Sequence, residues 1–429
     1  MSHACGVDFG TSNSTVAWHK PGQPEHTPSL LALEDEKLTL PSVVFFNADE
    51  DEVSYGRAAL TTYLAGYEGR LMRSMKSLLG TSLMEGQTEV LGRSLPFRQL
   101  LSQFITELKH RAERSAGQHF ERAVMGRPVH FIDDNQVADQ LAQDTLEEIA
   151  LAAGFKEIQF QYEPIAAAFD YESRISKEEL VLIADIGGGT SDFSLVRLAP
   201  ERAHRIDRYD DILGNGGVHI GGTDFDKYLS LAHIMPLLGL GGRLASSSDI
   251  PSSYYFNLAT WHTINLTYTQ KVWRELQDVY RDIGEAETRL RFERLLHLIE
   301  QRDGHWLAIQ AEEAKIQLSS NATIELVLER LRGKVRPTEP CILSLDQAGF
   351  QQSIQHLTAQ IGSTVSQVLS LADVSPDEVD TVFFTGGSSG VRGLRDRISA
   401  IVPDAKKVEG DLFGSIGAGL GLDAYRRYA

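Results

Sequence analysis

The sequence has few cysteines, no long hydrophobic run and fewer basic than acidic residues. Its only cysteines, Cys5 and Cys341, form neither a CxxC pair nor a His-rich spacing, so we expect buried free thiols rather than a disulfide framework or a zinc site. No apolar run reaches the roughly 20 residues that cross a bilayer, and residues 1–20 lack the basic start and apolar stretch of an export signal. We therefore expect a cytoplasmic protein that does not contact membranes.

The charge balance also excludes classes of partner. The 429 residues include 41 Lys and Arg against 59 Asp and Glu, which gives a formal net charge of -18. Nucleic acids and anionic membranes bind concentrated basic residues, so a general affinity for either is excluded. A hydrophobic content of 42% is that of a globular chain, and this length leaves room for domains of roughly 100–200 residues each. A site for phosphate groups must therefore be formed by a few residues of one local segment or cluster and not by a basic surface.

Two segments share one pattern, in which an apolar run ends in an aspartate and then breaks into glycines and hydroxyl residues. They are residues 6–13 (GVDFGTSN) and 184–192 (ADIGGGTSD). Glycine lets the backbone approach a ligand and direct successive N–H groups at phosphate oxygens. The threonine of each loop can donate to a phosphate, whereas the carboxylate requires a cation or a water in between. Two such hairpins that face each other would hold one magnesium nucleotide.

Strand and helix signals alternate along the chain, which predicts a mixed α/β fold. The strands are predicted at 43–46, 124–132 with a break at 126–128, 158–162, 180–184 and 381–384, and the helices at 97–116, 137–153, 261–298, from about 311 through 318, and from about 391. Because 180–184 is apolar on both faces, we expect a central strand. Trp273, Leu276, Val279 and Tyr280 form a predicted core stripe, and the Gly- and Ser-rich segment 239–253 is a predicted surface loop.

Taken together, these segments resemble the ATPase domain of the 70-kDa heat-shock chaperones (the DnaK family), within the wider actin and sugar-kinase superfamily. The resemblance rests on five segments that occur in order: 6–15, 163–168 (EPIAAA), 185–192, 219–226 (HIGGTDFD) and 385–389 (TGGSS). Three further segments, 126–129 (GRPV), 160–164 (FQYEP) and 235–239 (MPLLG), look like the bacterial YegD-type members.

The resemblance implies a two-lobed, actin-like ATPase fold of the α/β class, with duplicated RNase-H-like domains and a nucleotide cleft between them. Lobe I is expected over 1–175, with an inserted subdomain at about 41–115, and is completed by a C-terminal helix at about 412–429. Lobe II is expected over 176–411, with an insertion at about 227–315. Chaperones of this family continue into a peptide-binding domain, whereas this sequence ends at Ala429, so we expect no client-binding domain.

The resemblance also implies a role for individual residues. Thr11 and Thr190 match hydroxyls that touch the γ-phosphate, and Asp8 and Asp185 match carboxylates that hold Mg²⁺ mostly through water. The catalytic set that it implies is Lys76, which reaches the attacking water, with Glu163, Asp185 and Thr190. The set that it implies for binding ATP or ADP is Asp8, Gly10, Thr11, Ser12, Asn13, Gly187, Gly188, Gly189, Thr190, Gly221, Gly222, Glu312, Lys315, Ser319, Gly386, Gly387, Ser388 and Asp411.

Simpler interpretations of these residues stay open. Lys76 could be a solvated lysine on an amphipathic segment, and Glu163 before Pro164 suits the first turn of a helix whatever its chemistry. Glu312, Lys315 and Ser319 follow one helix face, a spacing typical of a solvated surface. Gly390 stands where the family carries an arginine that stacks on adenine, so base affinity and selectivity stay open.

Four functions compete on this evidence. The first is a slow Mg²⁺-dependent ATPase that acts as a nucleotide-dependent clamp on an unknown protein partner, with a monomer favoured. The second is a small-molecule kinase of the same superfamily, whose phosphate transfer would depend on an added sugar or polyol. The third is an actin-like filament, which would sediment with ATP. The fourth is a protein that binds nucleotide without turnover.

Overall fold

A computed structural model describes residues 3–20, 22, 28–132, 135–331, 341–411 and 414–428. The chain divides into two compact units. Unit 1 comprises Met1–His219, Thr364–Ser389 and Ile398–Ala429, and unit 2 comprises Ile220–Ser363 and Gly390–Arg397. The lobe boundaries expected from the sequence stay a prediction. Within the part of the chain that is described, no helix has the length and apolarity to cross a membrane.

The elements are numbered along the chain. The strands are β1 Ala4–Phe9, β2 Asn13–Trp18, β3 Ser29–Leu30, β4 Leu40–Pro41, β5 Val43–Asn47, β6 Glu52–Tyr55, β7 Gly69–Arg73, β8 Gln87–Val90, β9 Arg93–Pro96, β10 Arg122–Arg127, β11 Glu157–Tyr162, β12 Glu179–Ile186, β13 Ser191–Leu198, β14 Ile212–Val218, β15 Thr323–Val327, β16 Ile342–Asp346, β17 Thr381–Thr385 and β18 Lys406–Glu409. The α-helices are α1 Gly56–Leu64, α2 Phe97–Ala116, α3 Gln136–Ala152, α4 Glu163–Glu172, α5 Gly222–Leu229, α6 Ser253–Ala259, α7 Gln270–Asp282, α8 Ala286–Glu300, α9 Gly304–Ser320, α10 Gln347–Leu371, α11 Arg392–Ile401 and α12 Ser415–Tyr428.

Short 3₁₀ helices connect several of these elements: Met75–Leu78, Ser82–Glu85, Tyr209–Asp211, Met235–Leu238, Trp261–Tyr268, Glu329–Leu331, Pro376–Glu378 and Gly387–Gly390, with one π-helical turn at Ser230–Ile234. Helix α12 lies within the range expected for the C-terminal helix, about 412–429. Positions 412, 413 and 429 of that prediction lie outside the described residues.

Unit 1 contains the same strand arrangement twice. One sheet has the order β11-β10-β1-β2-β3, with β4 also paired to β2, and the other has the order β18-β17-β12-β13-β14. In each, the first hairpin (β1–β2 or β12–β13) is antiparallel, and two further strands extend the sheet in parallel on the other side. This repetition confirms the predicted α/β class and its duplicated topology. The apolar run at 180–184 lies within β12, the middle strand of its sheet, as expected.

Helices α4 and α12 pack in the same core as residues from both sheets. Ile165 and Phe169 of α4 and Leu420 of α12 share this core with Val124 of β10 and Val181 of β12. Small residues permit the close approach: a Cβ atom at Gly419 would lie 1.9 Å from the carbonyl oxygen of Ala166, and one at Gly6 would lie 2.1 Å from the amide nitrogen of Gly421. Close packing of this kind leaves little freedom between the two sheets.

A second core lies around α2 and includes side chains from the first sheet. Leu101, Phe104 and Leu108 recur at helical spacing on the buried face of α2 and share this core with Phe9 and Leu146. The predicted bounds of this helix are confirmed, and it ends at Gly117 in a left-handed conformation, φ 68°.

Two sequence predictions were wrong in their extent. The strand expected over 124–132 ends at Arg127, because Pro128 has no N–H for the ladder and the side chains of Arg127 and Asp139 bind the backbone of the next residues. The helix expected over 261–298 is a 3₁₀ helix followed by α7 and α8, with Thr269 capping α7 through the N–H of Val272. Of its predicted core stripe only Leu276 is fully buried; Trp273, Val279 and Tyr280 are half-buried.

Candidate functional site

The two glycine-containing loops occupy equivalent positions in the two sheets of unit 1. The first joins β1 to β2, and the second joins β12 to β13. A Cβ atom at Gly188 would lie 2.4 Å from the Oγ of Ser12, so the tips of the two loops touch. The structure therefore brings together the two segments that the sequence predicted to face each other.

A third glycine turn approaches the second loop. Gly386 follows β17 with φ of 80°, and a Cβ atom there would lie 2.4 Å from Oδ1 of Asp185. Left-handed backbone and lack of space both require glycine at this position. The next residues, Gly387 and Ser388, form part of a 3₁₀ turn, and Asp411 precedes α12, where its carbonyl oxygen accepts from the amide of Ser415 at 3.2 Å.

Lys76 and Glu163 form an ion pair near the aspartates of the two loops. The Nζ of Lys76 donates to Oε1 of Glu163, and the two side chains are only 10% and 14% exposed. Glu163 is the first residue of α4 and is followed by Pro164. It therefore occupies the helix end that Pro164 suggested and also forms the ion pair with Lys76. Burial opposes the charge on Lys76, but the carboxylates of Glu163, Asp8 and Asp185 outweigh it and raise the pKa of the ammonium group.

When they are ionised, the carboxylates at the two loops carry more negative charge than this lysine balances. Burial, followed by the charge of Glu163, raises the pKa of Asp8 to about 7 although Lys76 opposes the shift. Burial and the charges of Asp192, Glu163 and Asp8 raise the pKa of Asp185 to about 8. Hard carboxylate oxygens with unbalanced charge suit Mg²⁺, which keeps several waters and takes one or two carboxylates. The residues present therefore fit the magnesium ion that the sequence led us to expect.

The hydroxyl group of Thr190 in the second loop is held by a neighbouring carboxylate. Oγ1 of Thr190 donates to Oδ2 of Asp192 at 2.9 Å. Among the residues that the structure describes, no group of three or more His, Cys, Asp or Glu side chains could hold a metal ion.

Ser42 supports the first loop, although no pattern in the sequence predicts this role. Its Oγ donates to the carbonyl oxygen of Gly10 at 2.7 Å and its amide donates to that of Ser12 at 2.9 Å. Oγ of Ser42 also lies 2.9 Å from Oγ of Ser14. A serine 30 residues downstream of the loop carries no local signal for this role, because the contact arises from the pairing of β2 with β4.

The other predicted residues lie in unit 2. Gly221 precedes α5, and its amide donates to Oδ2 of Asp224 at 3.0 Å. On α9 Glu312 is exposed and Ser319 is half-buried, but Lys315 is buried, so the simple solvated face is wrong for this lysine. The Nζ of Lys315 lies 2.9 Å from the Asp226 carboxylate and donates to the carbonyl oxygen of Gly222 at 3.2 Å.

Comparison with known proteins identifies the family. The family model described as Hsp70 protein matches residues 4–237 and 299–420. The chain belongs to the Hsp70 family. It is 24% identical over 400 residues to the chaperone protein DnaK of Thermosipho melanesiensis, covering 93% of this chain and 55% of that protein. It is 26% identical over 442 residues to an HscA chaperone homolog of Pseudoalteromonas atlantica, covering 98% of this chain and 58% of that protein.

The chain spans about half the length of the curated relatives it matches. The Hsp70 match includes all five segments that carry the sequence resemblance, and it also includes Lys76 and α9. The assignment to an Hsp70-like ATPase domain is confirmed, and the finer YegD-type assignment stays a prediction.

Proposed function

We propose that unit 1 binds the phosphates of a magnesium nucleotide and that the protein hydrolyses ATP. The observation that carries the proposal is the contact between the two loop tips, with an aspartate at the base of each loop and the Lys76–Glu163 pair beside them. Backbone N–H groups of residues 10–13 and 188–190 are the proposed phosphate cradles. The amide of Gly187 donates to the carbonyl oxygen of Thr190 at 2.9 Å and so closes the second loop. In unit 1, the proposed contacts to the nucleoside are Gly386, Gly387, Ser388 and Asp411. The nucleoside role of Gly221, Gly222, Glu312, Lys315 and Ser319 stays a prediction from the sequence resemblance.

Phosphoryl transfer to water needs positioning and charge neutralisation more than covalent chemistry. Asp8 and Asp185 would hold Mg²⁺ mostly through water, and the ion would neutralise charge on the phosphates. The ammonium of Lys76 is the cation that this chain itself supplies, and its raised pKa keeps it charged at neutral pH. Glu163 accepts from that ammonium and so fixes where it lies. We expect slow turnover.

The test is nucleotide binding followed in parallel with phosphate release. Mg-ATP and Mg-ADP should raise the melting temperature, because a ligand at about 100 times its Kd stabilises the native state by about 2.7 kcal/mol. Asp185→Asn should lose this shift, whereas Asp170→Asn, at an exposed ion pair on α4, should keep it. Absence of both a shift and phosphate release would overturn the proposal. Phosphate transfer that required a sugar or polyol would indicate a kinase instead.

We also propose that a protein partner recognises one nucleotide state, as expected of a family whose similar members are named chaperones. The protein would then act as a nucleotide-dependent clamp in the cytoplasm. Capture from a lysate should return different proteins with Mg-ATP and with Mg-ADP. An identical set in the two states would contradict the clamp.

A further inference from the structure

The last two residues of β10 lie against the start of α4. In the parallel pairing of β10 with β11, Gly126 stands beside Gln161 and Arg127 beside Tyr162, the residue that precedes Glu163. A Cβ atom at Gly126 would lie 3.1 Å from Cγ of Glu163, 3.4 Å from its Oε1 and 3.1 Å from Cδ1 of Leu420 on α12. The side chain of Glu163 therefore rests directly on bare backbone, and Oε1 is the atom that accepts from Lys76.

The side chain of Arg127 is buried and nearly fully hydrogen-bonded. Its Nη2 donates to Oδ2 of Asp139 at 2.7 Å, and its Nη1 donates to Oε1 of Gln143 at 2.5 Å. Nε and Nη2 also donate to the carbonyl oxygens of Pro128 and Val129, both at 3.1 Å. Its guanidinium carbon lies 5.2 Å from the ring centre of Tyr162, within cation–π range.

The guanidinium group of Arg127 joins three elements around Tyr162. Asp139 lies in the first turn of α3, and its second oxygen accepts from the amide of Phe131 at 2.5 Å. The end of β10, residues 128–131 and α3 are therefore tied to one guanidinium. A buried arginine with one carboxylate partner is costly to disturb, because either charge left alone is desolvated without compensation.

We propose that Gly126 and Arg127 are positioning residues that hold Glu163, and through it the ammonium of Lys76, in place for ATP hydrolysis. This inference rests on the proposed function. Gly126 sets how closely Glu163 approaches the sheet, and Arg127 fixes Tyr162, which leads into it. A displacement of about 1 Å at a reacting group can reduce a rate by about 100-fold, so a shift of a few tenths of an ångström at Glu163 has a measurable effect.

The first test compares two glycine substitutions in unit 1. Gly126→Ala should lower kcat by about tenfold while KM and the Kd for Mg-ADP change less than about twofold. Gly214→Ala on β14 is the control for crowding away from Glu163, because a Cβ atom there would lie 2.9 Å from the carbonyl oxygen of Val368, closer than any contact at Gly126. It should leave kcat unchanged. Arg127→Lys keeps a cation opposite Asp139 but loses the planar fork, and it should lower kcat in the same way.

The second test measures the reactivity of the Lys76 amine and does not depend on ATPase activity. Acylation of the Lys76 amine, followed by mass spectrometry in nucleotide-free protein, should become several-fold faster in Gly126→Ala and Arg127→Lys but not in Gly214→Ala. Folded variants with wild-type kcat and wild-type acylation would overturn the inference. If wild-type protein neither bound nor hydrolysed nucleotide, the proposed function would fail, whereas acylation would still report whether the two residues hold the pair.

Discussion

Gly188 faces Ser12 with no room for a side chain between them, since a Cβ atom at Gly188 would lie 2.4 Å from the Oγ of Ser12. One residue belongs to the loop between β12 and β13 and the other to the loop between β1 and β2. The two loops thus meet through backbone and one small side chain. Contact of this kind brings the backbone of the two loops close together, which is what a phosphate cradle built from both loops requires.

This contact predicts the effect of Gly188→Ala. The added methyl group must displace Ser12 or separate the loops, so the Kd for Mg-ADP should rise by about tenfold, or about 1.4 kcal/mol. In the double variant Ser12→Ala/Gly188→Ala the clashing oxygen is gone, and affinity should return to that of Ser12→Ala alone. Calorimetric titration of the four proteins gives the coupling energy. If the loss of affinity in the double variant equalled the sum of the losses in the two single variants, the loop contact would have no influence on binding.

The Lys76–Glu163 pair predicts a split between catalysis and binding. Lys76→Ala removes one charge-assisted hydrogen bond, so the ATPase rate should fall by about 100-fold or more, whereas nucleotide affinity, which many contacts share, should change only a few-fold. Single-turnover phosphate release and equilibrium titration measure the two effects. An unchanged hydrolysis rate would remove Lys76 from the mechanism.

Local patterns predicted much of unit 1, and long-range contacts account for most of what they missed. The apolar spacing from Phe97 predicted the bounds of α2, and the run at 180–184 predicted the central strand, because helical and strand periodicity are local. The aspartate–glycine loops were found for the same reason. The Arg127–Asp139 cluster and the support from Ser42 depend on strand pairing and on the packing of α3. No spacing in a single sequence predicts such partners.

The carboxylates at the loops predict a fall in stability at high pH without divalent cations. The folded pKa values of about 7 for Asp8 and about 8 for Asp185 lie above the ordinary value of 3.8. The folded state therefore binds more protons than the unfolded state between pH 4 and 8, so this stabilisation is present at low pH and is lost as pH rises through these values. The loss is on the order of 1 kcal/mol per pH unit and group.

Unfolding of metal-free protein between about pH 4 and pH 8 measures this loss. Asp185→Asn cannot ionise, so its stability should fall less steeply than that of the wild type. Mg-ADP should raise the melting temperature more at pH 8.5 than at pH 6, because cation binding replaces the protons. Parallel pH profiles for the two proteins would show that Asp185 is ionised in the free protein.

The buried Lys315–Asp226 pair in unit 2 predicts a loss of stability on mutation that depends on pH. Lys315 and Asp226 are 9% and 15% exposed in their side chains, with Nζ 2.9 Å from the carboxylate. Lys315→Met leaves Asp226 buried without its cation, which should lower the free energy of unfolding by about 3–5 kcal/mol. Burial already raises the pKa of Asp226 to about 7, although Lys315 opposes the shift. The orphaned carboxyl group should therefore take up a proton at pH 6, and the loss should be larger at pH 8.

Urea unfolding at the two pH values tests this, with Arg174→Met as the control at an exposed pair, where a loss below about 1 kcal/mol is expected. Asp226→Leu/Lys315→Met removes both charges and should recover most of the stability. A loss equal at pH 6 and 8 would contradict the protonation of Asp226.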